Sequence, residues 1–140
     1  MPVSISSRLP TLLRAAFFFA AFIFAAWSLS CRPLIKVVDT ILRAKGESAR
    51  LQCLPGDLGQ LARLVDIYRK MRALTFPAEG HCLLHAISLV RFLSHYGWYP
   101  DWVMGVATDP WGAHAWVQWG PYLLDTNPEK VCRFTPIMAV

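Results

Sequence analysis

The chain changes its hydrophobic period once, near Trp102, and that switch restricts the folds open to it more than any other feature. Up to Gly97 apolar side chains recur at three- and four-residue spacing. From Trp102 they fall into short runs rich in β-branched and aromatic residues, separated by turn signals. Helices first and antiparallel strands second predict an α+β domain. With 140 residues, 55% hydrophobic and only 16% charged, the chain has enough apolar surface for one real core and no length for a second full domain.

The helical part divides at its stop signals. Residues 34–44 place Leu34, Val37, Val38, Ile41 and Leu42 on one face, with Gly46 as the expected stop. "LQCLPGD" (51–57) predicts a short strand or loop ending in a turn. Asp57 is a candidate N-cap with Gln60 three residues on, as in a capping box. Leu58, Leu61, Leu64, Val65, Tyr68 and Met71 then form the stripe of a helix that Pro77 closes. Residues 82–96 predict a helix apolar around most of its circumference, ending at Gly97, and a helix of that kind belongs in the middle of the domain.

Ahead of these lies "AAFFFAAFIFAAWSLSC" (15–31), with Arg8 and Arg14 before it and Arg32 and Lys36 after it. As a helix its 17 residues reach about 25 Å, slightly short of a bilayer core of about 30 Å. Three readings fit. It is a secretory signal with Ser28-Leu29-Ser30 as cleavage site. It is an anchor whose surplus of Lys and Arg on the C-terminal side keeps the following domain in the cytoplasm, at the inner face of the membrane. Or it is a buried or partner-covered helix, too short to span. The expected division is an apolar, membrane-associated helix over 1–33 and a domain over 34–140. The cysteines, Cys31, Cys53, Cys82 and Cys132, show no CxxC pair and no regular spacing, which points to a reduced compartment rather than a disulfide framework.

The net charge of +5 is uneven: residues 1–72 hold eleven Lys and Arg against four Asp and Glu, and residues 73–140 hold three against five. The basic residues flank the apolar segment and stud amphipathic helices without a nucleic-acid motif among them, so a nucleic-acid partner is not expected.

The residues able to carry chemistry sit around "HCLLH" (81–85) and on the predicted strands "WVMGVAT" (102–108), "AHAWVQW" (113–119) and "YLLDT" (122–126), read as a three-stranded meander. Cys82 opens its helix at the positive end of the macrodipole, a position suited to a nucleophilic sulfur, although cysteine is also among the most buried residue types. Alternation puts His114, Trp116 and Gln118 on one strand face. If Gly120-Pro121 is a two-residue turn, paired positions sum to 241, so that Trp116 faces Asp125 and His114 faces Asn127. Asp125 then lies diagonally from His114, within reach of its imidazole.

A helix-start thiol, a strand imidazole and a carboxylate on the next strand are the parts of thiol catalysis. Cys82 attacks, His114 moves the proton, and Asp125, or Asn127 in its place, orients the imidazole. The Cys82 N–H is one candidate oxyanion donor, and Gln118 a candidate for the second. The competing pattern is metal binding by His81, Cys82 and His85. Adjacent helical residues point about 100° apart and no fourth ligand has a recognised spacing, so no metal and no cofactor is expected. His95 is a surface residue or a favourable C-terminal helix charge.

"HCLLHAISLVRFLSHYGWYPDWVMGV", "GAHAWVQWGPYLLD" and the terminal "RFTPI" together resemble the leader peptidases of lasso-peptide biosynthesis, the B-type maturation proteins of the transglutaminase-like, papain-like cysteine protease superfamily. The resemblance covers residues 81–137. It implies a catalytic triad of Cys82, His114 and Asp125 that hydrolyses one peptide bond in a ribosomally made precursor peptide, before a separate asparagine-synthetase-like cyclase closes the macrolactam. It also implies the stand-alone type of peptidase, served by a separate leader-binding protein. His85 departs from the family, whose members frequently carry Arg or another polar residue there. An exported transglutaminase-like or cell-wall amidase, and a non-catalytic membrane-anchored interaction module, are the alternatives on the same scaffold.

Overall fold

The computed structural model describes residues 11–49, 57–75 and 80–140, so the "LQCLPG" segment and Pro77 lie outside the described residues. Helices α1 (Thr11–Cys31), α2 (Leu34–Ala49), α3 (Leu58–Thr75) and α4 (Cys82–Ser94) precede strands β1 (Asp101–Thr108), β2 (Trp111–Trp119) and β3 (Tyr122–Leu123). A one-turn helix α5 (Pro128–Val131) and strand β4 (Thr135–Ala139) follow. The α+β expectation holds.

α4 is the central element, with His85 to Val90, Phe92 and Leu93 all buried. On one side it carries α1 and α3, and on the other the sheet face bearing Ala115 and Val117. Its end is defined locally. Gly97 takes a left-handed φ of 82°, its N–H reaching Ser94 and that of Trp98 reaching Leu93, which closes the helix where the glycine predicts. α3 begins where Asp57 predicts, its carboxylate accepting from the Gly59 N–H at 2.9 Å. Leu58 departs from its stripe and stays exposed, being in the first turn, while Leu61, Leu64, Val65 and Tyr68 are buried.

Three other expectations are corrected. α2 does not stop at Gly46 but continues to Ala49: with open space where a Cβ would stand and helix-compatible residues after it, the glycine weakens the helix without ending it. β2 begins at Trp111, two residues ahead of the strand predicted over 113–119. The sheet has four strands, in the order β3-β2-β1-β4, so the meander is extended by β4 on the outer side of β1.

The proposed boundary at residue 33 separates helices that share one core. Phe18, Ala21 and Ala25 of α1 cluster with Val37 and Val38 of α2 and with the α4 and sheet residues. Phe17 also stacks on His95 at 4.7 Å. His95 is exposed, as the surface reading expects, while partial desolvation and Arg91 lower its pKa and disfavour the helix-end charge. By length and composition α1 is able to cross a membrane.

Candidate active site

The α4 N-terminus, the middle of β2 and the chain just beyond β3 meet around a cavity of about 380 Å³. Its lining includes Cys82, His81 and His85 from the start of α4, His114 from β2, Asp125 and Thr126 after β3, Arg72 from α3, and Lys130 from α5. The three residues singled out in the sequence, Cys82, His114 and Asp125, therefore border one space.

Cys82 is half-buried as the first residue of its helix. The approach is made by Gly80, whose φ of 99° favours glycine, and His81 stands at the N-cap position without a side-chain capping bond. The first-turn N–H groups beside the thiol are thus left uncapped by His81.

His114 lies opposite Gly105 in the β1–β2 ladder, with its ring against Trp116, stacked at 6.0 Å, and against Phe134 at 5.4 Å. Burial first, and the Lys130 charge second, push its pKa below the ordinary histidine value, so the neutral ring is favoured. Its Nε2 is buried without a hydrogen-bond partner among the described residues. Glycine at 105 makes this packing feasible: a Cβ there would stand 2.8 Å from the Trp116 ring and 3.0 Å from Phe134.

The expected β2–β3 register is present, with Gln118 opposite Leu123 and Trp119 opposite Tyr122. Regular pairing nevertheless ends early. Leu124 donates to the Val117 carbonyl at 2.9 Å, but its own carbonyl turns away to the Arg69 guanidinium at 2.6 Å. The Val117 N–H instead donates to Asp125 Oδ1 at 2.9 Å. Asp125 is therefore placed by the backbone of β2, not by a bond to His114. Burial raises its pKa to about 6, against the lowering effects of the Val117 N–H, its own backbone N–H, Arg72 and Arg69.

Two alternatives from the sequence are redirected. The Asn127 side chain accepts from the Lys130 N–H as the N-cap of α5, and Gln118 accepts from the Trp116 indole N–H at 3.1 Å, so neither lines the cavity. Among the described residues no group of three or more His, Cys, Asp and Glu is placed to hold a metal ion. Arg72, Lys130 and Phe134 carry no sequence signal that marks them for the site. Phe134 was legible only as part of "RFTPI", and the two cations carry no local pattern that aims them at Cys82.

Among known proteins, the family model described as the transglutaminase-like superfamily matches residues 25–139. Neither a curated protein nor a solved structure matches the chain.

Proposed function

The chain belongs to the transglutaminase-like superfamily, and on that premise we propose that it is a cysteine endopeptidase that removes the leader from a ribosomally synthesised lasso-peptide precursor. The observation carrying the thiol mechanism is that Cys82, His114 and Asp125 line one cavity. The resemblance of residues 81–137 to the lasso leader peptidases supports the substrate class. On this reading the enzyme works beside a separate leader-binding protein and an asparagine-synthetase-like cyclase. It does so in the cytoplasm, at the inner face of the membrane.

In the proposed reaction the Cys82 thiol gives its proton to neutral His114 as sulfur bonds to the scissile carbonyl carbon. Uncapped N–H groups at the start of α4, that of Cys82 first among them, face the developing oxyanion. The imidazolium returns the proton to the leaving amine as the C–N bond breaks, freeing the core peptide's N-terminus. Water, deprotonated by His114, then cleaves the thioester to release the leader carboxylate and restore the thiol. Asp125 acts electrostatically, its carboxylate favouring the imidazolium at each transfer.

The test is precursor cleavage with the leader-binding protein present, followed by mass spectrometry. Cys82→Ala should abolish the cleaved core, and His114→Ala should do so while leaving leader binding largely intact. An undiminished rate with Cys82→Ala would refute the thiol mechanism. A thiol-dependent activity that hydrolyses other amides but not this precursor would refute the substrate class alone.

A further inference from the structure

Helix α1 has two opposite apolar stripes, and only one is used by the fold. Phe18, Ala21, Ala25 and Ser28 are buried against the domain, whereas Leu12, Phe19, Ile23 and Trp27, on the reverse side, are 83%, 43%, 65% and 49% exposed. At the end of that outward stripe the Arg32 guanidinium stands 4.6 Å over the Trp27 ring. Arg32 also lines an open depression of about 500 Å³ at the α1–α2 corner, together with Lys36, Arg43 and Asp39. Arg43 pairs with Asp39 at 2.9 Å, and three cations against that one carboxylate leave the depression net positive.

We propose that this surface rests on an anionic lipid bilayer, with α1 lying along the membrane rather than across it and the α1–α2 corner receiving the lipid phosphates. The inference is independent of the peptidase reading. An apolar helix face with a Trp at one end, beside a basic cluster, matches the interfacial zone of a bilayer, where hydrocarbon and anionic headgroups meet within a few ångströms. Charge complementarity selects this occupant over an apolar protein groove, which would leave Arg32 and Lys36 unanswered.

The inner stripe determines the orientation. Arg91 lies 4.7 Å over the Phe24 ring, and His95 stacks on Phe17. A transmembrane α1 in this packing would carry α4 and the Arg91 charge to bilayer depth, where ionised groups are strongly disfavoured. An in-plane helix buries only the stripe the domain leaves open, and the domain stays in water.

Vesicle co-sedimentation of the full chain tests this, with phosphatidylcholine alone against a 7:3 mixture of phosphatidylcholine and phosphatidylglycerol at about 0.1 M salt. The chain should favour the mixed vesicles by tenfold or more and be extracted by alkaline carbonate. Arg32→Gln with Lys36→Gln should weaken that binding about 30-fold, from about two lost surface charges. Phe19→Ser, Ile23→Ser and Trp27→Ser together should abolish it. Should the triple variant fail to fold, the charge pair decides, since both its residues are exposed. Unchanged binding by the charge pair, no binding by the parent, or resistance to carbonate would overturn the proposal. So would a concentration-dependent dimer that the apolar substitutions abolish, which would make a second copy the occupant.

Discussion

Asp125 Oδ1 accepts the Val117 backbone N–H at 2.9 Å, occupying the place that a strand carbonyl would take in an unbroken ladder. The Leu124 carbonyl that would have filled it is held by Arg69. A cavity-lining residue's carboxylate is thereby anchored to the strand that carries His114, at the cost of enclosing a group that water would otherwise solvate.

Asp125→Asn should separate stability from activity. The amide oxygen still accepts from Val117, but the charge is gone. With a folded pKa near 6 against an ordinary 3.8, the native state binds more protons than the unfolded chain between those values. The parent therefore loses stability as pH rises from about 3.8 to about 6, by on the order of 3 kcal/mol, and that cost persists above pH 6. The variant should melt higher than the parent at pH 7.5 and converge with it below about pH 4. Its precursor cleavage should fall about 100-fold or more if the carboxylate supports the imidazolium. Thermal melts across pH and single-turnover cleavage check the two halves.

Arg69→Met should act on the same carboxylate from behind. It removes the hydrogen bond to the Leu124 carbonyl and a positive charge that favours ionised Asp125. The Asp125 pKa should rise further, moving the acid limb of the kcat/KM profile to higher pH while the alkaline plateau falls by no more than about tenfold. A purely structural role would lower the whole profile without moving the limb. Arg69→Lys, which keeps the charge, should restore its position.

Much of this arrangement was legible because it rests on local rules. The period change near Trp102 marks the helix-to-strand transition, Gly97 the end of α4, and Gly120-Pro121 the register between β2 and β3. What the sequence concealed is settled by tertiary partners. Arg69, distant in sequence, captures the Leu124 carbonyl and ends β3 early. A four-residue α5 is too short to show a period, and it takes Asn127 as its cap. β4 carries Pro136, which weakens the case for a strand, yet as the edge partner of β1 it tolerates the missing donor. The placement of α1 stays open in the sequence because its buried and exposed stripes are both apolar, and only packing distinguishes them.

Phe134→Ala should expose the His114 ring. Burial is the leading cause of the lowered His114 pKa, and Phe134 forms one wall of that enclosure. The pKa should rise toward the ordinary histidine value, detectable as a shifted imidazole titration by NMR, with Trp116→Phe as a milder change at the other ring that packs on His114. A titration that does not move would show that other groups exclude the water.

Gly105→Ala tests whether the imidazole is positioned by packing from the neighbouring strand. The added Cβ would meet the Trp116 ring at 2.8 Å, closer than such contacts allow, and the Phe134 Cβ at a tight 3.0 Å, and the residue lies directly opposite His114. Either the indole shifts, breaking its bond to Gln118, or Phe134 moves away from the imidazole. Overpacking of this kind costs about 1–3 kcal/mol. A lower melting temperature should therefore accompany reduced cleavage at saturating precursor, with little change in leader binding. Gly112→Ala is the matched control on the same sheet, since its added Cβ would meet only Phe134, at an ordinary 3.9 Å, and it should stay close to the parent. Equal losses in both variants would show that the sheet tolerates neither change and that the tight contact at Gly105 has no particular role in holding His114.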